Sequence, residues 1–379
     1  MIYLDYNATT PVDPRVLEAM LPYFSERFGN AASKTHAFGW TAAQAVDDAR
    51  AQVAALIGAE AGEIIFTSGA TEAINLAIKG VAAAYRMKGK HIITVATEHK
   101  AVLDTCAALE QNDAEITVLP VDRNGIVDTD ALKKALRPDT ILVCVMLANN
   151  ETGVIQPMRE IAELVHANGS ILFSDTTQAA GKMRLDVNEY GIDLCCLSAH
   201  KMYGPKGVGA LYVRRKNPRV ALLPQMHGGG HEKGWRSGTL NVPGIVGLGK
   251  AAAIAAEEWW SDAQRISILR TKLEQQIQDH CGNVFINGSI RDRLPNTSSL
   301  SIEGIKADRL IAKLPELAFS TGSACTSAIP GPSHVLRAMG ISDELAYGSI
   351  RLSLGRFTTE EEMQQASKAF CTIIPQLRY

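Results

Sequence analysis

Lys201 lies in CLSAHKMYGPKGVG, just after an apolar, β-rich run and among Ser198, His200, Gly204, Gly207 and Gly209. A lysine at the mouth of a sheet, partly desolvated and flanked by donors and small residues, can shed its proton and form a Schiff base. A solvated surface lysine is the common alternative. Asp175 closes a second apolar run, SILFSD, with Gln178 three positions on. A carboxylate there can pair a protonated ring nitrogen or cap the segment that follows. In TSGATEAIN the run EIIFT breaks at Ser68 and Gly69 before a helix that starts at Ala70 or Thr71. Such a start offers unpaired N–H groups and the positive end of the helix dipole to a phosphate, or it is a plain cap. VMLANNETG sets Asn149 and Asn150 after a further run, and HIITVATEH ends on His99. Only the conjunction is specific. A phosphate cradle, a lysine for an imine and an aspartate for a pyridinium nitrogen are what pyridoxal 5'-phosphate requires, and His99 could stack on the ring or move protons.

These groups need a scaffold that brings strand ends together. The runs 63–67, 91–95, 115–119, 140–147, 170–174 and 193–198 read as strands, and 71–87, 100–111, 129–137 and 157–167 between them as helices. Continuously apolar strands alternating with helices predict an α/β fold, a mostly parallel sheet covered on both faces, whose ligands bind beyond the carboxyl ends of the strands. A first helix is expected from Asp13, its cap, and Pro14 to a stop at Gly29. After about residue 258 the pattern changes. A charged helical stretch from Glu257 through Asp279 leads into NVFIN, SSLSIEG and IRLSLG, which predicts a smaller α/β domain. The segment before Pro11 could join either domain.

Composition sets the frame. The chain has 379 residues, 46% hydrophobic and 21% charged, with 38 basic and 40 acidic side chains for a net charge of −2. That length allows two to three average domains, and that charge gives no bulk electrostatic reason to bind nucleic acid or an anionic membrane. No uninterrupted apolar run reaches bilayer length, and Asp5 stands where a secretory signal needs basic and then apolar residues. A cytoplasmic location is therefore expected. The seven cysteines are an odd number without a CxxC pair, so no disulfide framework is expected. Cys106, Cys144 and Cys371 lie in apolar periodic segments and read as buried. Cys325 does not; it lies in STGSACTSAIPGPS, whose small residues predict an exposed loop.

Three patterns carry no chemistry. GIVGLGK, 244–250, matches a P-loop until Ala251, where the magnesium-binding hydroxyl is missing, and reads as a close-packed helix start. His227 and His231 are separated by three glycines that make a metal-binding helix improbable. Cys195 and Cys196 are neighbours in a strand and must point to opposite faces. No metal site is expected.

The chain resembles the pyridoxal-phosphate-dependent cysteine desulfurases of the NifS/IscS type, in the class-V aminotransferase family. YLDYNATTPVD, FGN at 28–30, TSGATEAINLAI, TEH, NNETG, SDTTQAAGK, SAHKMYGPKGVGALY, HGGGHEKGWRSGT, STGSACTSA and SIRLSLGRFTTEEE carry the resemblance, in order and over essentially the whole chain. It implies pyridoxal-phosphate fold type I, with a large domain over 13–258 holding a mostly parallel seven-stranded sheet and a small domain of 1–12 plus 259–379. By the same resemblance Lys201 would bind the cofactor covalently, Asp175 its ring nitrogen and Gln178 its ring hydroxyl, with His99 over the ring and Asn150 at its edge. Thr71, Ser198 and His200, with the Ala70 amide, would hold the phosphate. Thr239 matches a position that reaches the phosphate from the partner subunit of a homodimer. Arg351 would bind the carboxylate of L-cysteine, together with Asn150, and Cys325 would carry a persulfide to an acceptor protein. The SGSACTS form resembles the long-loop subgroup.

Two departures from the family bear on this. Ala199 stands where many relatives have Gly or Ser, with little consequence expected. The chain stops soon after IRLSLGRFTTEEE, without the tail of about twenty residues that typically helps dock the iron–sulfur scaffold in relatives that serve it. The expected outlet is therefore iron–sulfur cluster assembly or nucleic-acid thio-modification, without a choice between them. Rival readings are a selenocysteine lyase, an aminotransferase, which needs no nucleophilic thiol, and a silent interaction module, which would not need Lys201, Asp175, His99 and Cys325 together.

Overall fold

The computed structural model describes residues 1–321 and 331–378. After a short strand β1 (Ile2–Tyr3) come the seven strands of the central sheet: β2 (Ile64–Thr67), β3 (His91–Val95), β4 (Glu115–Leu119), β5 (Thr140–Cys144), β6 (Ile171–Asp175), β7 (Leu194–Ser198) and β8 (Gly209–Val213). Their spatial order is β2-β8-β7-β6-β5-β3-β4. All pairs are parallel except those of β8, which runs antiparallel to both neighbours.

Why the strands read as unbroken apolar runs is visible in the two cores. Ile64, Phe66, Ile93, Val95, Val143, Cys195 and Leu197 join one face of the sheet, and Ile65, Ile92, Leu142, Cys144, Leu194 and Cys196 the other. Alternate residues thus enter separate cores, and both must be apolar. Cys195 and Cys196 fall on opposite faces as expected. Strand β5 ends at Cys144, short of the expected 147, yet Val145 and Leu147 still donate to Phe173 O and Asp175 O.

The first helix is shorter than expected. Asp13 caps it and accepts from the Arg15 amide, but it ends at Met20, and a second turn, Pro22–Ser25, follows. Pro22 has no N–H to continue the ladder, so the stop lies there and not at Gly29.

A 40-residue helix, Val242–Cys281, crosses the molecule, about 60 Å at the usual helical rise. Its first half packs in the same core as one sheet face. Its second half, from Ile266 to Cys281, joins a separate core with Leu4, Leu300, Leu352 and Phe370. The glycines of GIVGLGK serve close packing: a Cβ on Gly249 would lie 2.5 Å from Ala49 Cα, and one on Gly247 would lie 2.5 Å from Met20 Sδ. Around the second core, β9 (Val284–Ile286), β10 (Thr297–Ile302) and β12 (Ser349–Ser353) form an antiparallel sheet, while β11 (Leu317–Ala318) pairs with β1. The N-terminal residues therefore run beside C-terminal ones. Cys106 and Cys144 are buried as expected, whereas Cys371, in the last helix, Glu360–Leu377, is only partly buried, packing against the second core with its Sγ 3.5 Å from Gln276 O of the long helix.

Candidate active site

The carboxyl ends of β2, β3, β5, β6 and β7 converge on one cavity of about 540 Å³. Ala70, Thr71, His99, Asn150, Asp175, Gln178, Ser198, His200, Lys201 and Arg351 all line it. Ten of the expected site residues, drawn from six stretches of chain, therefore share one space. Thr239 does not; it lines a neighbouring cleft of about 90 Å³ that shares Ser68 and Gly207 with the cavity. Cys325 lies outside the described residues.

The phosphate end is built by a close backbone approach. The helix Ala70–Ala84 starts after Gly69, which has no side chain to cap it, so its first amides face the cavity. Next to that start, a Cβ on Gly209 would lie 2.4 Å from Leu197 O and 2.7 Å from Gly69 Cα. Only glycine lets β8 begin there. Glu72 accepts from the Ser68 amide at 2.8 Å and pairs with Arg236 at 2.7 Å, which fixes the turn without filling the cradle. His200 Nδ1 lies 3.1 Å from Thr9 Oγ1. Burial, with the Lys201, Lys206 and Lys182 cations, pulls its pKa down to about 4.

Lys201 sits in a 3-10 turn, Ala199–Lys201, directly after β7. Its Nζ donates to Asn7 O at 2.6 Å and Ala8 O at 2.7 Å. Asp175 ends β6, and its Oδ1 accepts from the Thr177 amide at 2.9 Å and from Cys196 Sγ at 3.2 Å. That orients the carboxylate and leaves Oδ2 for a ring N–H. Gln178 Nε2 donates to Asn7 O at 3.0 Å. Of the two asparagines of NNETG, Asn149 holds the turn by accepting from the Glu151 and Thr152 amides, and Asn150 lines the cavity. His99 caps the helix Lys100–Glu110, its Nδ1 accepting from the Ala101 amide at 3.1 Å. A neutral His99 so held carries its proton on Nε2. Arg351, 1% exposed, donates to Asp5 Oδ1 at 2.6 Å and to Asn150 O at 3.1 Å.

Several participants carried no signal in the sequence. Asn7, Ala8 and Thr9 line the cavity, although nothing in YNATT marks them chemically. Glu98 is fully buried behind His99, accepting from the Met146 amide, and burial pushes its carboxyl well above the usual range. Lys182 reaches Gln178 Oε1 at 2.5 Å and Asn7 Oδ1 at 3.3 Å.

This donor set fits pyridoxal phosphate. Uncapped helical amides, an amine, a carboxylate with an open oxygen and a guanidinium all line the one cavity.

Comparison with known proteins agrees. The family model for aminotransferase class-V matches residues 2–366. A cysteine desulfurase IscS of Anaeromyxobacter sp. (strain Fw109-5) is 55% identical over 377 residues, covering 100% of this chain and 93% of the relative. A solved NifS-like protein superposes with a TM-score of 0.92 at 39% identity, covering 99% of this chain and 100% of that one. SspA, solved in complex with cysteine, superposes at 0.83 with 37% identity, covering 95% and 100%. With the fold, the cavity and these relatives in agreement, the chain belongs to the class-V aminotransferase family and, within it, to the NifS/IscS-type cysteine desulfurases.

Proposed function

We propose that this enzyme converts L-cysteine to L-alanine with pyridoxal 5'-phosphate bound at Lys201, placing the sulfur as a persulfide on Cys325 for an acceptor protein. The observation that carries the reading is the meeting of Lys201, Asp175, Arg351 and the amides after Gly69 around one cavity. When bound, the cofactor supplies an electron sink that acidifies the substrate's α-C–H. The chain's own residues do the rest. The first-turn amides of Ala70 and Thr71, with Ser198 and a neutral His200, hold the phosphate. Asp175 would accept from the ring nitrogen and Gln178 would donate to the ring oxygen, with Asn150 as a further contact. The Arg351 fork takes the substrate carboxylate, where a planar bidentate donor suits it. Lys201 Nζ takes and returns the α-proton once it leaves the two carbonyls that hold it. His99 would take the Cys325 proton, leaving the thiolate that attacks sulfur, and give its Nε2 proton to the substrate Cβ as the sulfur leaves, ending as neutral as it began. The Cβ–S bond of cysteine breaks and an S–S bond forms, so alanine and the persulfide account for every atom.

The same reading assigns 13–258 to a large cofactor domain and 1–12 with 259–379 to a small domain bearing Cys325. The separate core around the second half of the long helix supports that division. It makes the protein a homodimer in which Thr239 serves the partner's phosphate. Exposed Phe24, Phe28, Phe38 and Trp40, with the Phe28 and Phe38 rings 5.2 Å apart, support an apolar contact surface. The six free thiols among the described residues fit a reducing compartment such as the cytoplasm. The sulfur goes to iron–sulfur cluster assembly or to nucleic-acid thio-modification. Borohydride reduction of the cofactor-loaded enzyme, followed by peptide mapping, tests the site. The expected product carries the cofactor on Lys201; a label on another lysine overturns the assignment.

A further inference from the structure

Lys182 is a cation without a carboxylate. It belongs to none of the ion pairs among the described residues, and its Nζ sits instead between two amide oxygens, Gln178 Oε1 at 2.5 Å and Asn7 Oδ1 at 3.3 Å. The charged groups around it are Lys201 and Arg351, and the small cleft beside it is lined by Tyr6, Tyr203 and Asp262. Burial and the two cations push its pKa well below the usual lysine range. Placing a lysine there has a cost, and the arrangement of its partners suggests what it does.

Gln178 and Lys182 are four apart in a turn that begins at Thr176, where Ala180 N donates to Thr176 O and Lys182 N to Ala179 O, so both side chains rise on one side of it. A glutamine amide has two nearly identical ends, one accepting and one donating, and the neighbours decide which faces where. Here Lys182 takes the oxygen, and Asn7 O takes one N–H of the nitrogen at 3.0 Å. One N–H remains, and Gln178 lines the cavity. We infer that Lys182 is a positioning residue: by holding Oε1 of Gln178 it makes that amide a hydrogen-bond donor toward the cofactor's ring oxygen. The inference rests on the reading that pyridoxal phosphate occupies the cavity with its ring oxygen at Gln178. Lys182 is not among the residues that line the cavity. Its effect passes through Gln178, and through Asn7 to Lys201, which donates to the same Asn7 carbonyl.

A donor to the ring oxygen stabilises its anionic form and so lowers the pH at which the cofactor-bound lysine loses its proton. The test is a pH titration of the visible absorbance band of the cofactor-loaded enzyme, with thermal unfolding as a check on the fold. Lys182→Met is expected to raise the midpoint by about one pH unit, a tenfold change in proton affinity. Lys182→Gln keeps an N–H donor without the charge and is expected to titrate like the wild type. In a Gln178→Leu background, Lys182→Met is expected to add no further shift, since the two residues act as one unit. An unmoved midpoint in Lys182→Met, an equal shift in Lys182→Gln, or an additive shift with Gln178→Leu would each overturn the inference while leaving the cofactor reading intact. A wild type with no visible band on addition of pyridoxal phosphate would overturn both.

Discussion

Asp5 and Arg351 show how one residue prepares another. Arg351 is buried, and Asp5 holds one arm of its guanidinium while Asn150 O holds the other. Asp5→Ala removes one of the contacts that orient the fork, so the KM for L-cysteine is expected to rise about tenfold with kcat changed less, the size of one lost charge-assisted hydrogen bond. An unchanged KM would argue against Arg351 as the carboxylate ligand. His200 gives a pH prediction. Its folded pKa of about 4 lies below the ordinary value of 6.5, so the unfolded chain binds more protons between those values and stability falls as pH drops through that window. Buried His91 is shifted in the same direction. For the cofactor-free protein, His200→Asn is expected to flatten part of the loss of melting temperature between pH 6.5 and 4; an unchanged slope would contradict the depressed pKa. Lys201, Asp175 and Gln178 were legible because each follows an apolar run. Asn7 and Lys182 were not, because Asn7 meets Lys201 across 194 positions of sequence and Lys182 acts on another side chain.

At the level of elements, the long helix and the chain ends are tied by Arg356. It donates to Asp262 at 2.9 Å and Asp13 at 3.0 Å and lies over the Tyr203 ring at 4.6 Å. Asp13 caps the first helix and is held down to a pKa of about 2, chiefly by its hydrogen bond from Arg15. Arg356→Ala leaves these carboxylates short of a buried partner and is expected to cost about 3 kcal/mol or more in urea unfolding; a loss under about 1 kcal/mol would show the cluster to be dispensable. The sheet strands were legible in type and nearly in length, since a strand buried on both faces has to be apolar throughout. Strand β8 was not, because GALYV follows so closely on the lysine motif that it reads as part of it. The end of the first helix is set by Pro22, which has no N–H to offer, and not by Gly29, the more conspicuous stop signal. The 40-residue helix was seen as two pieces because its composition changes where it passes from one core to the other.

At the scale of the molecule, one cavity gathers chemistry from residues 7 to 351, and a second subunit is expected to complete it through Thr239. Thr239→Ala is expected to weaken pyridoxal phosphate binding several-fold in the dimer by equilibrium dialysis, although Thr239 lies outside its own chain's cavity; no change would argue against a shared phosphate site. The family was legible from its motifs, while the sulfur acceptor has no counterpart among the site residues. The central claim is that sulfur leaves L-cysteine through Cys325, and it is tested most directly by measuring alanine and sulfide from L-cysteine under reductant, for the wild type and for Cys325→Ala. Equimolar alanine and sulfide are expected from the wild type, and loss of both from Cys325→Ala with the cofactor's absorbance retained. Equal turnover in the two proteins would contradict it.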